Sequence, residues 1–318
     1  ITSAMNPRIS LDVANGSTAS GTNLQIFKGN NSEAQQWLLH VDTNGHTTII
    51  ARNNGLAIDV KNSSTTNGTN IQLSTPTGND NQKFVLTPHT GTKVYKGIDI
   101  SSYNTINWDS LAKDGKVDFV IIRAGYGGNW TNQDDTKFKS NVAACEKYNI
   151  PYGTYLYSYA ADIDTPDKTG ANEEAKHMLR LLSEIKTTSY VPTLGTEVFL
   201  DVEDKSVANV SKTKLTNVVD YFCTTIENNG YRCGVYASAK WLNEHLNSPE
   251  LVKKFDIWLA QWPYGNTTPV SYSKAMNTKP SYNTTSYKYW QFTSSGSSDP
   301  LAGISGRLDL DLGYDIFD

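Results

Sequence analysis

Val198-Phe199-Leu200-Asp201-Val202-Glu203 is a short apolar run that closes on two carboxylates. It is too short for a helix and rich in β-branched and aromatic residues, so it reads as a buried strand. Alternate side chains of a strand share a face and each residue advances about 3.3 Å, so Asp201 and Glu203 emerge on one face, about 6.6 Å apart along the backbone. Two like charges at the end of an apolar strand raise each other's proton affinity, and burial raises it further, so one stays protonated near neutral pH. Cleavage of a glycosidic bond needs such a pair: an acid for the leaving oxygen and a carboxylate for the positive charge developing on the sugar ring. Without context, an Asp-x-Glu is more often a strand end facing water.

The context is a regular alternation. Strand-like runs occur at 97–101, 119–125, 152–159, 198–203, 233–237, 257–262, 287–292 and 308–312. Helical patterns separate the earlier ones, clearly at 135–148, 169–185 and 212–229 and more briefly at 109–113 and 239–245, whereas loops join the last three strands. Alternating strands and helices predict a parallel sheet, and eight strands over this length predict a closed β/α barrel with few helices after the last strands. The alternative, an open doubly wound sheet that binds a nucleotide, lacks the Gly-rich phosphate loop after its first strand. In barrels, reactive groups gather at the carboxyl ends of strands. Asp99 lies in the first strand and Asp309 in the last, which adjoin on closure, and Asp201 and Glu203 would face them across the mouth. Tyr126, Tyr157, Tyr159, Tyr236, Trp262, Trp290 and Gln291 occupy similar ends and are expected to line a carbohydrate cleft.

The amino-terminal residues obey another pattern. Leu11-Asp12-Val13, Gly21-Thr22-Asn23-Leu24-Gln25-Ile26 and Gln35-Gln36-Trp37 recur at a constant offset of 47 as Ile58-Asp59-Val60, Gly68-Thr69-Asn70-Ile71-Gln72-Leu73 and Gln82-Lys83-Phe84. Short alternating segments between Asn/Gly/Ser/Thr turns predict an all-β domain of hairpins around a shared core. A polar stretch at 88–96 ends the repeats, giving domains at 1–90 and 95–318.

Composition narrows the function. The 318-residue chain carries a formal charge of −4 and no basic block, which argues against nucleic acid and anionic membranes as partners. No apolar run approaches the roughly 20 residues of a membrane span, and no basic start followed by an apolar core opens at Ile1, so no export signal is read in these residues. Cys145, Cys223 and Cys233 match no zinc spacing, and neither a metal nor a cofactor is expected. A Cys223–Cys233 disulfide and buried thiols are both compatible with their placement.

Gly97-Ile98-Asp99-Ile100-Ser101, Phe119-Val120-Ile121-Ile122-Arg123-Ala124-Gly125, Pro151-Tyr152-Gly153-Thr154-Tyr155, Leu200-Asp201-Val202-Glu203, Gly234-Val235-Tyr236 and Trp290-Gln291-Phe292-Thr293 resemble, in order and spacing, segments of the family 25 glycoside hydrolases. The resemblance implies a barrel with five helices and three bare final strands, and a muramidase that hydrolyses the β-1,4 bond between N-acetylmuramic acid and N-acetylglucosamine in peptidoglycan. It implies Glu203 as catalytic acid, with Asp99, Asp201 and Asp309 completing the acidic site. Two mechanisms fit: attack by the substrate's own acetamido oxygen, oriented by an ionised Asp201, or attack by water with Asp99 or Asp201 as base and inversion. A barrel that binds glycan without catalysis and a hydrolase of chitin are the alternatives.

The repeats resemble ricin-type β-trefoil lectins, marked by Gln-x-Trp, which have three units where two are found here; a missing unit implies an exposed face that something else covers. Of that family's sugar site the first unit keeps Asp12, Gln25 and the aromatic Phe27 but has Ala34 in place of Asn; the second keeps Asp59, Gln72 and Asn81 but has Ser74 in place of the aromatic platform. The competing reading makes Trp37 and Phe84 core residues and the two Asp turn formers. Expected partners are peptidoglycan strands and, for the repeats, other wall carbohydrate. The expected place of action is outside the cell at the wall, or the host's periplasm-wall space for a phage enzyme.

Overall fold

Among the described residues, alternating apolar segments of the amino-terminal repeats form seven short strands: β1 (Thr2–Ser3), β2 (Asn6–Val13), β3 (Leu24–Lys28), β4 (Trp37–Val41), β5 (Thr47–Ala51), β6 (Ala57–Val60) and β7 (Ile71–Ser74). They build two antiparallel sheets, ordered β1-β2-β3 and β4-β5-β6-β7. This computed structural model describes every residue except 4, 5, 31, 87–91, 168, 186–193, 195, 196, 266, 267, 281–286, 296–300, 305–307 and 318, so part of the expected boundary at 88–96 lies outside the described residues. The chain divides into two compact units, Ile1–Gly91 and Thr92–Asp318.

The sequence repeat of the first unit is also a repeat of hydrogen bonds. Asp12 accepts from Gln25 Nε2 at 2.8 Å and from Gln35 Nε2 at 3.0 Å; 47 residues on, Asp59 accepts from Gln72 Nε2 at 3.2 Å and Gln82 Nε2 at 3.0 Å. Gln35 and Gln82 are buried, so the Gln of each Gln-x-aromatic motif satisfies a buried carboxylate. Asn15 and Asn62 turn the chain with φ of 57° and 58°, a left-handed conformation that Asn tolerates. Trp37 and Phe84 pack on the core of Val13, Ile49, Ile58 and Leu73, in keeping with their reading as core residues. Ile26, Leu38, Leu39, Val41, Val85 and Leu86 remain exposed, and an apolar cavity of about 370 Å³ opens between Leu11, Leu24, Ile58, Ile71 and Phe84.

The second unit is a closed barrel of β8 (Val94–Ile100), β9 (Phe119–Tyr126), β10 (Tyr152–Tyr157), β11 (Val198–Asp201), β12 (Cys233–Ser238), β13 (Asp256–Ala260), β14 (Tyr289–Thr293) and β15 (Asp309–Tyr314). Both strand faces are buried, which explains the nearly continuous apolar runs. Ile98, Val120, Leu200, Val235 and Leu310 face the helices, whereas Phe119, Tyr155, Phe199, Trp258 and Tyr289 fill the interior. Gly97 makes room for that filling: a Cβ there would lie 2.1 Å from the Phe119 ring.

Around the barrel lie α1 (Trp108–Asp114), α2 (Phe138–Tyr148), α3 (Ala171–Ile185), α4 (Lys212–Asn228), α5 (Ala239–Glu244), α6 (Ser248–Leu251) and α7 (Tyr272–Met276). The α4 helix shows why: Ser211 caps it by accepting from Lys214 N, and Leu215, Val218, Val219, Phe222 and Ile226 form its buried stripe.

The fold corrects the sequence reading in several places. The sheet is not wholly parallel, since β15 runs antiparallel to both β14 and β8. A one-turn helix, α7, interrupts the connection from β13 to β14, where loops alone were expected, and α6 adds a second short helix beyond the expected five. The fourth strand stops at Asp201, so Glu203 lies past its end rather than in the ladder. Cys223 and Cys233 are buried thiols without a disulfide.

Candidate functional site

Strand direction determines which residues reach the mouth of the barrel. Asp201 ends β11, pairing with Tyr157 of β10 and Tyr236 of β12. Asp309 begins β15 and pairs with Asp99 of β8; because β15 runs antiparallel, the start of this strand lies at the rim where its parallel neighbours end. The four acids thus come to one rim, three at carboxyl ends and one at an amino end.

An amide organises one side of the site. Gln291 Nε2 donates to Asp99 Oδ2 at 2.8 Å, while its Oε1 accepts from Tyr236 Oη at 3.0 Å and Trp262 Nε1 at 3.1 Å. Burial, then the neighbouring Asp309 and Asp311, push Asp99 well above the usual carboxylate range, against the opposing Gln291 hydrogen bond. Asp311, which the sequence reading did not single out, lies one pleat deeper, with Trp258 Nε1 donating to its Oδ1 at 2.8 Å. Burial raises Asp311 to about 7 despite that bond.

The opposite side is the Asp201–Glu203 pair. Asp201 is only 4% exposed, and no donor among the described residues reaches its Oδ1. Burial, then Glu203, push it well above the ordinary range, and Arg123 partly opposes them. Glu203 is half-buried and also raised, by burial and then by Asp204. Both carboxyls are therefore held above their ordinary range, burial being the first cause for each.

Aromatic side chains cluster beside these acids. Tyr157 Oη donates to Asp204 Oδ2 at 3.0 Å, and its ring meets that of Tyr159 edge-on at 5.3 Å; Tyr159 meets Tyr126 at 6.2 Å. Two residues missed by the sequence reading bear on this wall. Tyr103 is 87% exposed, with the Arg123 guanidinium 5.1 Å from its ring centre; Arg123 is held by Asp135 at 2.9 Å and donates to Ser102 Oγ at 3.0 Å. Glu174, fully buried on α3, accepts from Ser158 Oγ and Tyr159 N, both at 2.7 Å, and so fixes the segment that carries Tyr157 and Tyr159.

Trp290 does not line the cleft. It neighbours Gln291 in β14 and so faces the other way, fully buried against Phe292, with Nε1 donating to Gln261 O at 2.8 Å. In the first unit, Asp12, Gln25, Phe27, Asn30 and Ala34 line a cavity of about 360 Å³ with Phe27 half-exposed at its edge. In the second repeat, Asn81 Nδ2 donates to Asp59 Oδ2 at 2.8 Å and Ser74 stands where a platform would be. Among the described residues no group of three or more His, Cys, Asp or Glu is arranged to hold a metal ion. No helix among them is long and apolar enough to cross a membrane.

Comparison with known proteins agrees with this fold. The modular autolysin LytC from Streptococcus pneumoniae, solved with a synthetic peptidoglycan ligand, superposes with a TM-score of 0.53 at 22% identity, over 87% of this chain and 57% of its own. The catalytic domain of endolysin ply40 from bacteriophage P40 of Listeria monocytogenes gives 0.52 at 24% identity, over 69% and 92% of the two chains. The lysozyme from Streptomyces coelicolor gives 0.52 at 21%, over 68% and 90%. At these identities the likeness is one of fold, and this chain spans little more than half the length of the autolysin. No curated protein matches the chain. The family model of ricin-type beta-trefoil lectin domain-like sequences matches residues 1–74 and 33–105, so the first unit is lectin-like. The model of glycosyl hydrolases family 25 matches residues 98–301, more than half of the chain and all of the acidic rim except Asp309. The chain belongs to the family 25 glycosyl hydrolases.

Proposed function

We propose that this glycoside hydrolase is a peptidoglycan N-acetylmuramidase, cutting the β-1,4 bond between N-acetylmuramic acid and N-acetylglucosamine, with residues 95–318 carrying catalysis and residues 1–90 contacting wall carbohydrate. The observation that carries the reading is the Asp201–Glu203 pair: two carboxyls of raised proton affinity, one enclosed with an oxygen that no donor among the described residues reaches, the other half-buried past the strand end. The structural neighbours are named as an autolysin solved with a synthetic peptidoglycan ligand, an endolysin and a lysozyme, which supports the substrate class.

In the absence of substrate the pair shares one proton, because two adjacent buried carboxylates cannot both ionise cheaply. A substrate acetamido N–H donating to Asp201 Oδ1 stabilises that carboxylate, since a hydrogen bond to the charged form favours it. The proton then resides on Glu203, which delivers it to the glycosidic oxygen. The acetamido oxygen attacks the anomeric carbon as the bond breaks, and water later opens the resulting ring with retention of configuration. Tyr126, Tyr157, Tyr159, Tyr236 and Trp262 bear on the sugar rings, Gln291 orients Asp99, and in the first unit Asp12, Gln25 and Phe27 form the more open sugar site.

The test is digestion of purified peptidoglycan by the full chain and by Glu203→Gln, with new reducing ends identified by mass spectrometry after borohydride reduction and chitin oligomers run in parallel. Muramic acid ends, lost in the variant, are expected. Glucosamine ends, or cleavage of chitin alone, would overturn the assigned bond.

A further inference from the structure

Asp99 and Asp311 meet inside the barrel in a way that no pair of ionised carboxylates can. Each has one oxygen held by a firm donor: Gln291 Nε2 on Asp99 Oδ2 and Trp258 Nε1 on Asp311 Oδ1, both at 2.8 Å. Asp311 is 0% exposed, and no N–H or hydroxyl among the described residues reaches its Oδ2, while its carboxyl and that of Asp99 act on one another as a hydrogen-bonded pair of side chains. A contact between two carboxyls in a dry interior requires a proton between them.

The surroundings decide which carboxyl keeps the proton. Asp99 has Asp309 opposite it in the ladder, a like charge that opposes its ionisation. Each carboxyl has one donor, so these two bonds offset one another, Gln291 Nε2 favouring ionised Asp99 as the indole N–H favours ionised Asp311. The difference left is Asp309, which lies directly across the ladder from Asp99 and one pleat away from Asp311. The other groups facing this part of the interior are Tyr155 on β10, Asp201 on β11, Tyr236 on β12 and Gln291 on β14, with Arg123 beside Asp201. Tyr236 spends its hydroxyl proton on Gln291 rather than on either carboxyl, and the cation among these groups, Arg123, lies on the Asp201 side.

We infer that Asp311 is a positioning residue of the site: it accepts a hydrogen bond from Asp99 and thereby keeps that carboxyl neutral at the mouth of the barrel. The consequence is mechanistic. A neutral Asp99 cannot take a proton from water, so the inverting scheme with Asp99 as base is closed, while a scheme through Asp201 and Glu203 stays open. The inference rests on the proposed reading only in placing Asp99 in the site; the proton itself can be observed without turnover.

The experiment is a pH titration of the full chain labelled with aspartate ¹³Cγ, followed by NMR, with the Asp99 signal assigned from Asp99→Asn. Asp99 is expected to be protonated at pH 6. In Asp311→Asn the amide donates to Asp99 and brings no charge, so the Asp99 midpoint should fall by at least about one pH unit. Should that variant fail to fold, Trp258→Phe removes the donor from Asp311 and should make Asp99 the first of the two to ionise. An ionised Asp99 at pH 6 in the parent, or an unmoved midpoint in Asp311→Asn, overturns the inference. Loss of muramidase products with the titration as expected would instead overturn the proposed function alone.

Discussion

Replacing Glu174 by Gln should stabilise the barrel in alkaline solution and leave it unchanged in acid. Glu174 is fully buried, and burial raises it to about 8 against an ordinary 4.5, even though Ser158 Oγ and Tyr159 N both donate to it. Below about pH 4.5 the carboxyl is protonated in both folded and unfolded chains and costs nothing. Between 4.5 and 8 the unfolded chain ionises while the folded one does not, so the contribution is lost as pH rises through the folded value. A displacement of about 3.5 units at about 1.36 kcal/mol each gives an upper bound near 5 kcal/mol by pH 8. Gln reproduces the protonated form, with its oxygen accepting from Tyr159 N and its amide donating to Ser158 Oγ, and never ionises. The assay is guanidinium unfolding at pH 4, 6 and 8 followed by tryptophan fluorescence, which reports chiefly on the barrel because six of the seven tryptophans lie in residues 92–318. The two proteins should coincide at pH 4 and diverge progressively above it. Parallel stability curves, or a variant weakened equally at every pH, would refute the reasoning and mean that the hydrogen bonds to the carboxylate outweigh burial.

Glu203→Gln should remove at least about 10³ of the turnover, with unchanged melting and unchanged binding of glycan, both measurable on the purified chain. Asp201→Asn should slow hydrolysis without altering the product anomer, read by ¹H NMR within the first minutes; a switch of anomer would count against acetamido assistance. Tyr103→Ala should leave stability within about 0.5 kcal/mol because the ring is exposed, yet weaken binding of long glycan fragments about fivefold, as calorimetry would show if the ring stacks on sugar. Phe27→Ala should reduce retention of the chain on intact walls while leaving cleavage of soluble fragments at its original rate, which compares a pull-down with a solution assay.

The eight barrel strands were legible because both their faces are buried, and a run such as Phe119-Val120-Ile121-Ile122 has few other uses. The direction of β15 was not, since Leu308-Asp309-Leu310-Asp311-Leu312 alternates equally well read either way, and only the pairing with β8 distinguishes the two. Strand ends gather functional residues, but parity divides them: Gln291 reaches Asp99 and Trp290, its neighbour, is sealed in the outer layer. Parity could also have found Asp311, two residues from Asp309 and so on the same face. Glu174 was hidden differently. Beside Glu173 in the first turn of α3 it looks like an ordinary acidic helix start, and only the approach of Ser158 and Tyr159 shows it to be buried. In the first unit the constant offset exposed both the fold and its hydrogen-bond pattern, because each Gln-to-Asp bond must recur wherever the backbone does.

The antiparallel last strand gives the site something a wholly parallel barrel lacks. In a parallel strand the rim residue is the last one, and the chain beyond it leaves the barrel as a loop; Glu203, two residues past Asp201, is already outside its ladder. In β15 the rim residue comes first, and the strand then descends into the interior, so Asp311 sits below Asp309 in regular structure. The two Asp-x-acid motifs of this chain therefore do opposite things with the same spacing. Asp201 and Glu203 run outward, from an enclosed carboxyl to a half-buried one past the strand end, which suits handing a proton to a substrate. Asp309 and Asp311 run inward, from the rim to a fully buried carboxyl beneath Asp99, which suits accepting the hydrogen bond that keeps the proton on Asp99. Moving a charge across these positions distinguishes the two roles: Asp311→Asn should displace the titration of Asp99, whereas Glu203→Gln should leave it where it was.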